Sequence, residues 1–344
     1  MPDPDRYDAI PKVELHCHLE GTVRPATVVD LARKHGTRLP SDDPTELYRY
    51  DSLDSFLEIF WLVQSLIGDR EDWARVAYES VVDAAPHGLR YREAFFTPAR
   101  HLRAGQALSE IIAGLADGLD AAERDTGVRS ALICDIDRSF GPAAALELAE
   151  MLVDLRRFGG TERVIGIGMD STERGVDPAD FSPAYTLARR AGLRATGHAG
   201  EDTGADNIAT ALSTLRLERI DHGIAVMEDP ELVERVARAR IPFNVCPSSN
   251  IVIANRWPAL DQHPLRRMRE AGLLVTINTD DPAMTGADLG SEYRSVAEAL
   301  GFSFADMCEI ALDGVEATWL DPAEKAVLRR SFADAIDGLV GVDG

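Results

Sequence analysis

Two histidines one residue apart, His16 and His18, close the apolar run Val13-Glu14-Leu15-His16-Cys17-His18-Leu19-Glu20-Gly21. Alternate side chains of an extended strand leave the same face, so both imidazoles can aim at one point while Cys17 points away. Convergent imidazoles are the beginning of a metal site. Ionisable residues recur at the ends of later apolar runs: Asp170 and Glu173, His198 and Glu201 in Gly197-His-Ala-Gly-Glu201, Asp221 and His222 before Gly223, and Asp280 and Asp281 in Asn278-Thr-Asp-Asp-Pro282. His16, His18 and His198 offer three nitrogens and Asp280 an oxygen, a donor set suited to zinc. Zinc with one open position lowers the pKa of a bound water to about 7, which makes hydrolysis the expected chemistry. Such a reaction needs a proton donor beside the substrate. Glu201, shortly after His198, is the expected acid, and His222 the residue that orients the nucleophile. Asp280 and Asp281 are adjacent and cannot point the same way in an extended segment, so one faces the metal and the other the substrate. A helix cap before Pro282 is the plain structural alternative for Asp281.

These side chains need elements that bring them together. Strand-like runs fall at residues 13–18, 89–96, 130–135, 164–169, 194–198, 219–222, 241–245 and 273–278, with helical patterns between them and further helices after the last. The fold class expected is α/β, a (β/α)8 TIM barrel, in which the C-terminal ends of all strands meet at one face. A doubly wound sheet uses the same alternation. The gathering of polar residues at one end of the runs favours the barrel. A helical insert at about residues 25–88, with helices near 26–35, 52–67 and 71–85, separates the first two strands and is far longer than an ordinary strand-to-helix connection. It is expected to act as a lid, part of it roofing the pocket with Phe56, Phe60 and Trp61. Residues 1–344 read as a single hydrolase domain with extra C-terminal helices.

The net charge is −22, from 36 basic and 58 acidic residues. Such a surface repels nucleic acid and anionic membranes, so a polyanion partner is not expected. No apolar run approaches the length needed to span a bilayer. Cys17, Cys134, Cys246 and Cys308 are widely spaced, without a CxxC pair, and read as reduced thiols of a cytoplasmic protein. Met1 to Arg6 are polar and do not read as a signal peptide. Dinuclear barrel hydrolases often bridge their metals with a carbamylated lysine at a strand end. Lys12, Lys34 and Lys325 are the lysines of this chain and none ends strands three to six, so one metal ion is expected. His35, His87 and His101, without acidic neighbours in register, and His263, before Pro264, read as structural or surface residues.

The blocks residues 11–21, Gly197-His-Ala-Gly-Glu201, Arg219-Ile-Asp-His-Gly223, Cys246-Pro-Ser-Ser-Asn250 and Asn278-Thr-Asp-Asp-Pro282 stand in the order found in one family. The chain resembles the adenosine/adenine deaminases of the amidohydrolase superfamily over about residues 10 to 335. The short H-x-E with P-C-x-x-C signature of the nucleic-acid deaminases is absent. The resemblance implies a mononuclear Zn2+ barrel that hydrolyses the 6-amino group of a purine. It implies His16, His18, His198 and Asp280 as metal ligands, Glu201 as the proton shuttle to purine N1, and His222 as the group orienting the nucleophile. Asp281, through N7, with His18, Glu20 and Ser171, would contact the substrate. Glu20 and the Asp170-Ser-Thr-Glu173 stretch are similar to adenine-type relatives, whereas residues 281–293, with Met284 and Gly286-Ala-Asp-Leu-Gly290, are closer to the nucleoside enzymes. The resulting expectation is adenosine and deoxyadenosine deamination to inosine and ammonia, with adenine or an N6-modified or substituted adenine as the alternative. A different amidohydrolase, acting on an amide or a pterin ring, and an inactive purine-binding paralogue are the rivals of another kind.

Overall fold

The computed structural model describes residues 6–41, 43, 46–50 and 53–340. Met1 to Asp5, in the stretch read as lacking a targeting signal, and Ser52, at the start of an expected helix, lie outside the described residues.

Parallel strands form the frame. β1 (Lys12–Glu14), β2 (Leu89–Phe96), β3 (Arg129–Asp137), β4 (Val164–Asp170) and β5 (Arg194–Ala195) pair in that order. β6 (His198–Ala199), β7 (Ile220–His222), β8 (Pro242–Val245) and β9 (Leu274–Ile277) form a second run. The two runs join on both sides. β5 and β6 are halves of one stave, parted at Thr196 and Gly197. The Thr196 N–H still donates to the Ile167 carbonyl at 3.1 Å, and the Asp221 N–H to the Gly197 carbonyl at 3.0 Å. Beyond β1, the His18 N–H donates to the Asp280 carbonyl at 2.9 Å and the Phe95 N–H to the Cys17 carbonyl at 2.8 Å. Eight staves therefore close into a (β/α)8 barrel, and each expected strand is present. The first was expected to run to His18. Its ladder stops at Glu14 because farther on it is joined to its neighbours by single bridges, Cys17 to Asp280 and His18 to Phe95.

The staves are buried on both faces and rich in apolar residues, as a parallel barrel sheathed in helices requires. Leu132, Ile133, Cys134 and Ile136 of β3 and Ala94, Phe95 and Phe96 of β2 are all buried. Buried polar ties pin the first stave to its neighbours on both sides. Glu14 pairs with Arg92 at 2.6 Å and accepts the Thr279 hydroxyl at 2.6 Å, while the Leu15 N–H donates to Asn278 Oδ1 at 2.8 Å. These contacts set His16, His18 and Asp280 side by side. On the opposite wall the buried Arg138 donates to the carbonyls of Asp170 at 2.8 Å and His198 at 2.7 Å, tying the ends of β4 and β6.

The insert carries helices Pro25–His35, Leu53–Leu66 and Arg70–Ala84, and the C-terminal extras are Leu289–Leu300, Phe304–Ala317 and Pro322–Val340. Two histidines expected to lack acidic neighbours meet carboxylates from other elements. His35 lies 2.6 Å from Asp72, and His87 lies 2.9 Å from Asp8 and 3.2 Å from Asp288. Lys12 donates to the carbonyls of Tyr7, Ile10 and His87, Lys34 to Asp69 and Asp72, and Lys325 to the Glu316 carbonyl, so none of the lysines reaches the strand ends. No helix of the described residues is long and apolar enough to cross a membrane.

Candidate active site

His16, His18, His198 and His222 converge at the C-terminal mouth of the barrel. The centroid of the His16 ring lies 5.2 Å from that of His18, 4.7 Å from that of His198 and 4.7 Å from that of His222. Asp280 closes the group, with Oδ1 at 2.9 Å from His16 Nε2 and 3.4 Å from His18 Nε2. His16 Nε2, His198 Nε2 and Asp280 Oδ1 are buried and have no hydrogen-bond partner among the described residues. Ligand atoms of His16, His18 and His198 all lie within 4.8 Å of one another. Donors bonded to one ion at about 2.0–2.1 Å stand roughly 3 Å apart, so this spacing and the three-nitrogen, one-oxygen chemistry fit a single zinc ion. Cys246 lies in reach of His16, His222 and Asp280, and burial first, then the neighbouring carboxylates, push its thiol well above the usual range.

The backbone pays for this convergence locally. His222, Asp280 and Ser171 have φ of +58°, +64° and +70°, conformations that cost a side chain about 1–3 kcal/mol each and here turn strand ends inward. Surrounding groups set the ring orientations. Asp221 Oδ1 lies 3.3 Å from His16 Nδ1 and accepts from Asn244 at 2.8 Å, and its Oδ2 accepts the Thr196 hydroxyl at 2.6 Å. Burial favours the neutral acid, yet the His16 hydrogen bond and charge outweigh it and hold Asp221 below the usual carboxylate range. A carboxylate on Nδ1 leaves His16 Nε2 free as a donor atom. The Ser249 hydroxyl donates to Asp280 Oδ2 at 2.6 Å, which leaves Oδ1 to face the imidazoles.

Glu201 reaches over the same point, with Oε2 at 3.6 Å from both His198 Nδ1 and His222 Nε2. Its loop is fastened by the buried Glu173, whose carboxylate accepts the N–H groups of Gly200 at 2.7 Å and Glu201 at 2.8 Å and the Thr203 hydroxyl. A cavity of about 120 Å³ opens above the cluster. His18, Ser171, Glu201 and Asp281 face it from the barrel, and Phe56, Phe60, Trp61 and Gln64 line it from the helix Leu53–Leu66. A wider groove of about 680 Å³ between helices Leu108–Thr126 and Gly141–Phe158 is mostly apolar and has no histidine in its lining, so the chemistry belongs to the smaller cavity.

Asp281 precedes the helix Pro282–Thr285 but makes no capping bond, which removes the structural alternative. Its Oδ1 lacks a partner among the described residues, and burial, then Asp280, push its carboxyl well above the usual range. Gly21 is required here, since a Cβ on it would lie 1.9 Å from Asp281 Oδ1. Glu20, expected as a substrate contact, does not reach the cavity. It is buried behind the wall, Oε1 accepting the N–H of Thr97, and Thr97 and Gln64 line the cavity in front of it. Sequence reasoning also missed Asp135, whose Oδ2 sits 3.7 Å from His18 Nδ1 and whose Oδ1 would collide with a Cβ on Gly168 at 1.8 Å. The signal was present in an apolar strand ending on a carboxylate. His263, read as structural or surface, is buried and hydrogen-bonded to Asn250 at 3.2 Å.

A parallel α/β barrel with imidazoles and a carboxylate gathered at its strand ends has the architecture of the amidohydrolase class of enzymes. Comparison with known proteins narrows the class: the model of the family described as adenosine deaminase matches residues 11–335. The chain belongs to that family, hydrolases acting on C–N bonds of cyclic amidines. It is 35% identical over 92% of its length, and 89% of the relative's, to a Cupriavidus necator protein named adenine deaminase. A crystal structure titled adenine deaminase, from Arthrobacter aurescens, superposes with a TM-score of 0.90 at 34% identity, covering 95% of this chain and 99% of that one. A cog1816 amidohydrolase from Burkholderia ambifaria, solved with bound Zn, superposes with a TM-score of 0.91 at 32% identity, covering 98% and 93%.

Proposed function

We propose that the protein hydrolyses the 6-amino group of adenine, taking adenine and water to hypoxanthine and ammonia. Purine deamination is carried by one observation, the meeting of three imidazoles and Asp280 with the Glu201 carboxylate on the floor of a small roofed cavity. Residues 281–293 pointed to adenosine. The relatives named adenine deaminases support the free base instead.

His16, His18, His198 and Asp280 would hold one zinc ion, which when bound acts as a Lewis acid and lowers the pKa of a coordinated water to about 7. Glu201 hands a proton to purine N1 as oxygen adds at C6. Adding at C6 breaks the aromaticity of the ring, so this is the step at which a general acid counts most. His222 faces the adding oxygen. Asp281 takes N7, an acceptor, and so acts in its acid form. Ser171 and His18 line the purine's edge. The helix Leu53–Leu66, the proposed lid of the 25–88 insert, covers the ring and excludes water.

The test sets adenine, adenosine, deoxyadenosine and N6-methyladenine side by side with zinc-loaded protein and reads ammonia release. Adenine is expected to have the highest kcat/KM. A higher value for adenosine would overturn the base assignment, and no release from any of them would overturn deamination and leave a purine binder.

A further inference from the structure

His263 and Asn250 have no part in the chemistry above, yet both end on His222. The His263 ring is buried, edge-on to Trp257 with centroids 5.3 Å apart. Its Nδ1 accepts the backbone N–H of Leu265 at 3.1 Å. A peptide N–H can only donate, so that nitrogen carries no hydrogen and the neutral ring holds its hydrogen on Nε2. Burial, and after it the nearby His222, push His263 down to about 3, which keeps it neutral.

His263 Nε2 faces Asn250 Oδ1 at 3.2 Å. A donor there fixes the carboxamide, oxygen towards His263 and NH2 towards His222. The amide nitrogen stands 3.0 Å from His222 Nδ1, which must therefore accept. The hydrogen of the His222 ring is left on Nε2, the atom facing Glu201 at 3.6 Å and Asp280 at 3.8 Å. Each hydrogen in this chain follows from one donor whose identity is fixed, the Leu265 amide.

We propose that His263 and Asn250 are positioning residues that lock His222 in the tautomer with its hydrogen on Nε2, so that it presents a donor to the reacting oxygen and cannot serve as its base. Proton acceptance during attack then falls to a carboxylate, and Glu201 is the one that faces the His222 donor. The hydrogen-bond chain stands without any substrate, and only the kinetic arm of its test rests on the deaminase reading.

The test is ¹⁵N NMR of histidine-labelled, zinc-loaded protein, with the His222 signals among the chain's 8 histidines identified by their loss in His222→Gln. An unprotonated Nδ1 and a protonated Nε2 are expected for His222. His263→Phe frees the amide to turn, so the two His222 tautomers should mix and kcat should fall about 10- to 100-fold with KM and zinc content held. His263→Gln keeps both a donor and an acceptor and should restore most of kcat and the original ¹⁵N pattern. Asn250→Asp gives a second route if the phenylalanine variant does not fold. A carboxylate accepts from both sides, forces the His222 hydrogen onto Nδ1, and should invert the pattern with a comparable loss of kcat. A protonated Nδ1 in the unaltered protein, or wild-type kcat in the folded variants, overturns the proposal. Inactivity on every purine would leave the ¹⁵N outcome intact, so the two readings fail separately.

Discussion

Asp221 touches no cavity surface, yet it accepts from Thr196 and Asn244, stands 3.3 Å from His16 Nδ1, and so decides which His16 nitrogen is free. Asp221→Asn would keep the shape and turn an NH2 or a weaker acceptor towards His16. Zinc affinity is expected to drop about 10- to 100-fold, read by competition with a chelator. Glu201→Gln probes a different property. Its ligands are untouched, so metal content should stay constant while kcat falls by roughly 10²- to 10⁴-fold, the worth of a general acid. Wild-type turnover in that variant would remove Glu201 from the mechanism. The imidazoles were legible at this scale because His16 and His18 share a strand face and His198 ends another strand. Asp221 and Glu173 stood in the sequence as equally plain carboxylates. What separates Glu201 from Glu173 is direction, one side chain into the cavity and one onto backbone N–H groups, and direction is set by loops that spacing does not encode.

At the scale of elements, the roof helix shows how far periodicity reaches. Phe56, Phe60 and Gln64 recur at every fourth position and line the cavity together, with Trp61 beside them. The excess of apolar residues beyond one buried stripe was visible in the sequence, and Phe56, Phe60 and Trp61 line the cavity. Trp61 is 40% exposed and has the Arg100 guanidinium 4.3 Å from its ring centroid, so it contributes little to the core. Trp61→Ala should therefore raise KM severalfold with almost no change in Tm. An unchanged KM with lowered stability would assign the ring to packing alone. The staves were legible to within two residues, except where pairing is irregular. The fifth breaks at Gly197, and the first gives up its ladder where it begins to carry histidines. Both departures occur where side chains must be turned to a point instead of stacked in a regular pleat.

Across the whole molecule, buried titratable groups couple the fold to pH. Burial holds His101 down at about 4, its ring packed 4.7 Å from that of Trp73, and His263 lower still, at about 3. The folded protein refuses protons that the unfolded chain accepts below about pH 6.5. The contribution of these two rings to stability is therefore full above that value and is lost on acidification towards pH 4, by about 1.4 kcal/mol per pH unit for each ring. Subtracting the denaturant stability of His101→Phe from that of the unaltered protein should leave a difference that falls over this window as acid is added. A difference independent of pH would show that His101 titrates in the folded state. Ties of this range are what the sequence hides most completely. Glu14 meets Thr279, and Arg219 meets Glu93 at 2.5 Å, through a closure that exists only once the last stave lies beside the first.

The clasp that Glu173 makes on residues 200 to 203 has a consequence for how such a catalyst can diversify. The proposed acid, Glu201, is moored to the rim, whereas the proposed ceiling descends from a separate crossover. On that reading, bulk can be carved from the ceiling to admit larger guests, or added to turn them away, without retuning the proposed proton relay beneath. Selectivity and reactivity are thus two dials on separate shafts.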